Sequence, residues 1–152
     1  MKLKAIKILT IIISLTVFFI SLTKNAVVIN YIEIKTVPSL DYFLMGSIAF
    51  LGGGMLEQII WFANPLSLVS IYLLAVNKKS AIKFSLSALF LAVSFSTWKE
   101  ILGAESGVTA KITSLEMGYF LWVLSILILT IGIFIYFKIA DRILIEEENT
   151  LA

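Results

Sequence analysis

The sequence predicts an all-α fold: a polytopic membrane protein built as a four-transmembrane-helix bundle, with an extra short outer or re-entrant helical segment and a short extended outer loop. Three observations predict it. Charge-free runs cover Ile8–Thr23, Gln58–Asn77, Phe84–Trp98 and Met117–Phe137, and apolar stretches near 20 residues match the thickness of a bilayer. The chain is 60% hydrophobic and only 14% charged, against about 25% charged in an average soluble domain. The basic residues, finally, fall mostly on one side of a four-crossing path, as the excess of Lys and Arg in cytoplasmic loops requires. With 152 residues, the chain suits a single integral membrane domain, 1–152. Its expected spans are 5–23, 56–77, 81–98 and 115–137, with a short segment at 42–54 and an inner tail at 139–152.

The first span opens with Lys2, Lys4 and Lys7 ahead of the apolar run Ile8–Ile20. A cleaved signal would need small residues three and one before the cut, and neither Ser21-Leu22-Thr23 nor Lys24-Asn25-Ala26 fits well. A retained helix is expected instead. Ala5–Thr23 would measure roughly 28 Å at about 1.5 Å per residue, close to the hydrocarbon core of about 30 Å. The outer loop after it, Lys24–Asp41, carries Val27-Val28-Ile29-Asn30-Tyr31-Ile32-Glu33-Ile34-Lys35. Its β-branched, partly alternating pattern suits a short extended segment or hairpin.

Tyr42–Asn77 is too long for one straight helix and barely long enough for two. Charge placement arbitrates. With four crossings and an inner N-terminus, the inner side receives Lys2, Lys4, Lys7, Lys78, Lys79, Lys83, Lys138 and Arg142, and the outer side Lys24, Lys35, Lys99 and Lys111. A double crossing over Tyr42–Asn77 would reverse that bias, so one net crossing is expected, at about Leu56–Asn77. Gly52-Gly53-Gly54 then breaks the chain between this span and an outer apolar segment at Tyr42–Gly54. A span at Phe43–Phe62, with Pro65–Val76 along the inner face, is the alternative.

Ala81–Trp98 is the third expected span. Its Ala88, Ala92 and Ser96 recur every four residues and form a small-residue stripe for close helix packing. The last, Leu115–Phe137, holds 14 residues of Leu, Ile, Val or Phe. Tyr119 and Trp122 near one end and Tyr136 near the other suit an aromatic belt. The tail is expected to continue as a helix that frays at Glu146-Glu147-Glu148.

Composition excludes several chemistries. The chain has no Cys and no His, so thiol redox chemistry, Ser–His or Cys–His nucleophiles, and His or Cys ligation of haem or zinc are impossible. No basic patch interleaved with aromatics points to nucleic acid. Asp41 and Asp141 fall on opposite sides of the membrane, which rules out a facing acid pair. No catalytic residue, cofactor or metal site is expected. The candidate polar cluster is Glu57, Gln58, Trp61, Asn64 and Pro65. A membrane-embedded acid one turn from an indole suits a cation or a proton, whereas at the outer edge of a helix it only marks a boundary. Pro65 deprives the Trp61 carbonyl of its helical donor, and Asn64 or a facing Ser could replace it. Gln58 could hydrogen-bond across helices.

The motif Trp61-Phe62-Ala63-Asn64-Pro65, with Gly118-Tyr119-Phe120-Leu121-Trp122 beyond a Lys-bounded helix, resembles a W-x-A-N-P / G-Y-x-L-W pattern of small uncharacterised bacterial inner-membrane proteins. The likeness covers roughly Gly46 to Gly132. It departs at Phe120, where such proteins often carry a second tyrosine, and at Glu57, where they tend to lack an acid. The resemblance implies the class and the threading, and no activity.

The leading functional expectation is a non-enzymatic protein of a bacterial inner membrane with both termini cytoplasmic. It would act through helix packing as an accessory subunit, with the lipid bilayer and another membrane protein or a homo-oligomer as partners. Two alternatives are an immunity protein against a membrane-acting toxin and a small proton-coupled transporter or channel using Glu57. Small multidrug exporters share its outline of four spans and one membrane acid. They carry that acid in the first span and have shorter outer loops.

Overall fold

A computed structural model describes residues 2–103 and 108–151. The backbone runs α1 (Lys2–Leu22), β1 (Asn25–Asn30), β2 (Ile34–Pro38), α2 (Ser39–Gly46), α3 (Met55–Trp61), α4 (Ala63–Ala75), α5 (Ala81–Ser94), β3 (Glu100–Leu102), β4 (Thr109–Leu115) and α6 (Met117–Leu151). Short 3-10 turns at Ala49–Gly52 and Phe95–Thr97 fill two of the gaps.

Two expectations are corrected. The fold is not all-α, because the segments between α1 and α2 and between α5 and α6 assemble an antiparallel four-stranded sheet in the order β2-β1-β4-β3. Among the described residues, the helices long and apolar enough to cross a membrane number three, not four: Leu3–Leu22, Met55–Ala75, which joins α3 to α4, and Met117–Glu146. The expected span at 81–98 is the shorter apolar helix Ala81–Thr97. Its α-helical part ends at Ser94 and tightens into a 3-10 turn, where Ser94, Ser96 and Thr97 hydroxyls donate to carbonyls three residues back. Such back-bonding competes with the regular ladder.

The sheet grows directly out of the bundle. α1 and α6 are packed partners, and the chain leaving α1 becomes β1 while the chain approaching α6 is β4. These two strands pair, with Val27 opposite Leu115 and Asn30 opposite Lys111. β2 closes a hairpin on β1 and β3 pairs with β4. The expected extended segment is thus one half of a sheet. Its other half comes from β3 and β4, where Thr109–Leu115 alternates in burial and seats Ala110 fully inside.

Helix boundaries follow local chemistry. Gly53 takes φ 88 after the first 3-10 turn, a left-handed conformation that favours glycine. It separates α2 and its turn from α3. At the other end of the bundle α4 stops in a Schellman motif. Asn77 takes φ 57. Its N–H donates to the Leu74 carbonyl, and the Lys78 N–H donates to that of Leu73 at 2.8 Å. Lys7 Nζ then donates to the Ala75 carbonyl at 3.0 Å and to Asn77 Oδ1 at 2.8 Å, and the Tyr136 hydroxyl donates to the same oxygen at 2.6 Å. Lys79 pairs with Asp141 across the exposed rim. One end of the bundle is therefore rich in lysine and the other is capped by the sheet.

Between these ends the core forms three clusters. Under the sheet, Val27, Ile29, Ile101 and Ala110 meet Ile60, Phe95 and Tyr119. In mid-bundle Ala63, Ala88, Ala92 and Ile126 pack together. Nearer the lysines lie Leu74, Ala81, Leu129 and Ile133. α1 and α6 approach so closely at Gly132 that any Cβ there would meet the Thr10 side chain. Small buried polar residues, Thr10, Ser14, Ser125 and Thr130, line these contacts. Ser14 donates to the Ser125 carbonyl at 2.9 Å, and Thr130 donates to the Ile126 carbonyl within its own helix. In hydrocarbon such groups must find protein partners.

Candidate functional site at the junction of bundle and sheet

Pro65 is the third residue of α4. It has no N–H to give the Trp61 carbonyl, and the helix breaks at Phe62 as a result. The Asn64 side chain supplies the missing donor, Nδ2 to the Trp61 oxygen at 3.1 Å. Its Oδ1 accepts from Trp122 Nε1 on α6 at 2.9 Å. One amide therefore repairs the proline break and ties α4 to α6. Trp61 Nε1 donates to the Phe43 carbonyl at 2.8 Å, which holds α2 against α3. Gln58 Oε1 accepts the Phe50 N–H at 3.4 Å, a long contact to the turn before α3 rather than to another helix.

Glu57 lies in the first turn of α3, at the sheet end of the bundle. Its Oε1 accepts the backbone N–H of Leu102 on the edge strand β3 at 2.8 Å. The carboxylate satisfies a donor that an edge strand would otherwise leave open. It also acts on Tyr42 of α2. Burial, and secondarily the charge of Glu57, push the Tyr42 phenol well above its ordinary value. Tyr42 stays a neutral hydroxyl throughout the physiological range.

These groups border a partly open cavity of about 100 Å³ beneath the sheet, lined by α1, β1, α2, α3, α4, α6 and the turn after α5. Of the residues singled out from sequence, Glu57, Trp61 and Asn64 line it, whereas Gln58 and Pro65 do not. Sequence reasoning missed Ser39, Tyr42 and Phe43 on α2. The readable signal is their spacing: with Gly46 they stand at i, i+3, i+4 and i+7, one face of a helix. The opposite face, Leu40, Leu44 and Met45, is exposed, as suits a short helix lying in lipid. Ser39 is buried, and its hydroxyl has no hydrogen-bond partner among the described residues.

Of the small-residue stripe, Ala88 and Ala92 are fully buried in the mid-bundle cluster. Ser96 falls in the 3-10 turn, is exposed, and donates to the Val93 carbonyl at 2.7 Å. Among the described residues, no three acidic side chains gather to hold a metal ion. Comparison with protein-family models, curated proteins and solved structures finds no match for the chain.

Proposed function

We propose that this is a non-enzymatic integral protein of a bacterial inner membrane that works by docking another membrane protein on its outer face. In this reading the lysine-rich end of the bundle lies in the cytoplasm with both termini, because eight basic residues cluster there against four at the sheet end. The short α5 packs against α4 and α6, and the bilayer thins against it.

The observation that carries the reading is the tip of the β1–β2 hairpin. Ile32, in the hairpin turn beside Tyr31, is 82% exposed, and Ile34, the first residue of the edge strand β2, is 71% exposed. Lipid covers the apolar sides of the helices, but a sheet on the outer face meets water unless a partner covers it. Large apolar side chains on an open edge are the usual chemistry of strand or side-chain docking. A transporter built on Glu57 is less favoured, because its carboxylate is engaged with the β3 backbone at the sheet junction.

The test uses the natural absence of cysteine. Single cysteines at Ser80 and Ile32 should react with a membrane-impermeant maleimide from opposite sides of oriented vesicles. A photo-crosslinking residue at Ile32 should yield one discrete adduct in native membranes, while one at Phe90, exposed on α5, should yield lipid adducts alone. An adduct of twice the protein's mass would make the partner a second copy. Lipid adducts alone at Ile32 would overturn the docking reading.

A further inference from the structure

The cavity under the sheet has an unusual wall. One run of ring contacts passes from Phe18 to Phe43 at 5.7 Å and on to Trp61 at 6.4 Å. A second passes from Phe95 to Tyr119 at 5.7 Å and on to Trp122 at 6.2 Å. All six rings line the same cavity. Their polar handles are already engaged: Trp61 with the Phe43 carbonyl, Trp122 with Asn64, and the Tyr119 hydroxyl with the Ala92 carbonyl at 3.0 Å. The rings therefore offer the cavity π surface rather than hydrogen-bond donors. The formal charge on the wall is the carboxylate of Glu57, and among the described residues no Lys or Arg lines it.

We propose that this cavity binds a quaternary ammonium group, held by the aromatic walls and by the negative charge of Glu57. Rings attract a cation through their quadrupole, most strongly where water is excluded. A cation without N–H groups asks for no hydrogen bonds, which suits walls that have few to give. Size agrees. A cavity of about 150 Å³ accommodates the six carbons of benzene. The space of about 100 Å³ here scales to about four or five heavy atoms, the size of a trimethylammonium head. Ser39, buried at the same cavity without a partner, is placed to bond a hydroxyl or ester oxygen carried next to the ammonium group. The exposed apolar face of α2 gives the site a lipid-side flank, so the group can arrive on a phospholipid head or as a free small cation.

Titration of the purified full chain in phosphatidylglycerol nanodiscs decides the matter. Tetramethylammonium and choline should each change tryptophan fluorescence saturably, since Trp61 and Trp122 line the site. The neutral isostere 3,3-dimethylbutan-1-ol should bind at least about tenfold more weakly. Glu57→Gln keeps an acceptor for the Leu102 amide and should weaken the cations about tenfold while leaving the isostere unchanged. Phe43→Leu should weaken the cations as well. Repeating the titration in phosphatidylcholine nanodiscs separates the sources: a lost or right-shifted response means the lipid head occupies the site, and an unchanged one means a free cation is preferred. No saturable response in phosphatidylglycerol nanodiscs, or equal binding of the isostere, overturns the proposal. The docking reading above stands or falls separately.

Discussion

Asn64 and Trp122 are 58 residues apart in sequence and joined by a 2.9 Å hydrogen bond, and that bond exists because Pro65 has turned the Asn64 amide towards the broken helix. Removing the amide orphans two groups in an apolar bundle, the Trp61 carbonyl and the Trp122 indole. Asn64→Leu is expected to lower stability by about 1–2 kcal/mol. Pro65→Ala restores the backbone donor to Trp61, so Asn64→Leu should cost less in that background. Reversible unfolding in mixed micelles measures the double-mutant cycle. Additive costs would show that Asn64 does not stand in for the missing N–H.

Gly132 sets the distance between α1 and α6. Gly132→Val drives a side chain into Thr10 and is expected to destabilise by about 1–3 kcal/mol, as overpacking does. Thr10→Gly should recover part of that loss in the double variant. Thermal denaturation in detergent reads both effects.

Glu57 fastens the β3 edge through the Leu102 amide. Glu57→Gln keeps an acceptor there and should leave amide exchange at Leu102 close to that of the parent protein. Glu57→Leu removes it and should speed that exchange about tenfold or more, with little change in the helices. Hydrogen exchange resolved at β3 distinguishes the two.

Tyr42 gives a pH signature. The fold favours the neutral phenol, so its folded-state value lies above the unfolded value near 10. Its contribution to stability is present in full below about pH 10 and is lost as pH rises from there towards the folded-state value. Absorbance at 295 nm should show a late phenol titration whose amplitude shrinks in Tyr42→Phe. Glu57→Gln should bring it down only in part, because burial is the larger cause.

Much of the helical framework was legible because hydrocarbon imposes it. Runs such as Ile126–Leu129 admit few other environments, and the lysines of Lys78–Lys83 mark a helix boundary. The Asn64–Pro65 break was readable from backbone chemistry alone, since a proline four residues after a carbonyl always removes its donor. The sheet was harder. Val27–Ile29 showed half of it, but Lys99–Ser114, with mixed charges, carries no β-branched run to match. The partner of β4 is β1, on the far side of four helices in the sequence, and local patterning does not encode that pairing. α5 misled for a related reason. Phe84–Trp98 has the composition of a span, yet the hydroxyls at Ser94, Ser96 and Thr97 tighten its end into a 3-10 turn. The α2 face of Ser39, Tyr42 and Phe43 was overlooked because eight residues give little periodicity to read.

The continuity of α1 with β1 and of β4 with α6 has a consequence for synthesis. β1 emerges early and can close its hairpin with β2 at once, but its opposite edge waits for β4, most of a polypeptide later. Until α6 is in place, that edge presents open amides and carbonyls at the sheet end of the bundle. A ribosome stalled before α6 would leave an adhesive strand on display, a natural handle for quality-control proteases to grip.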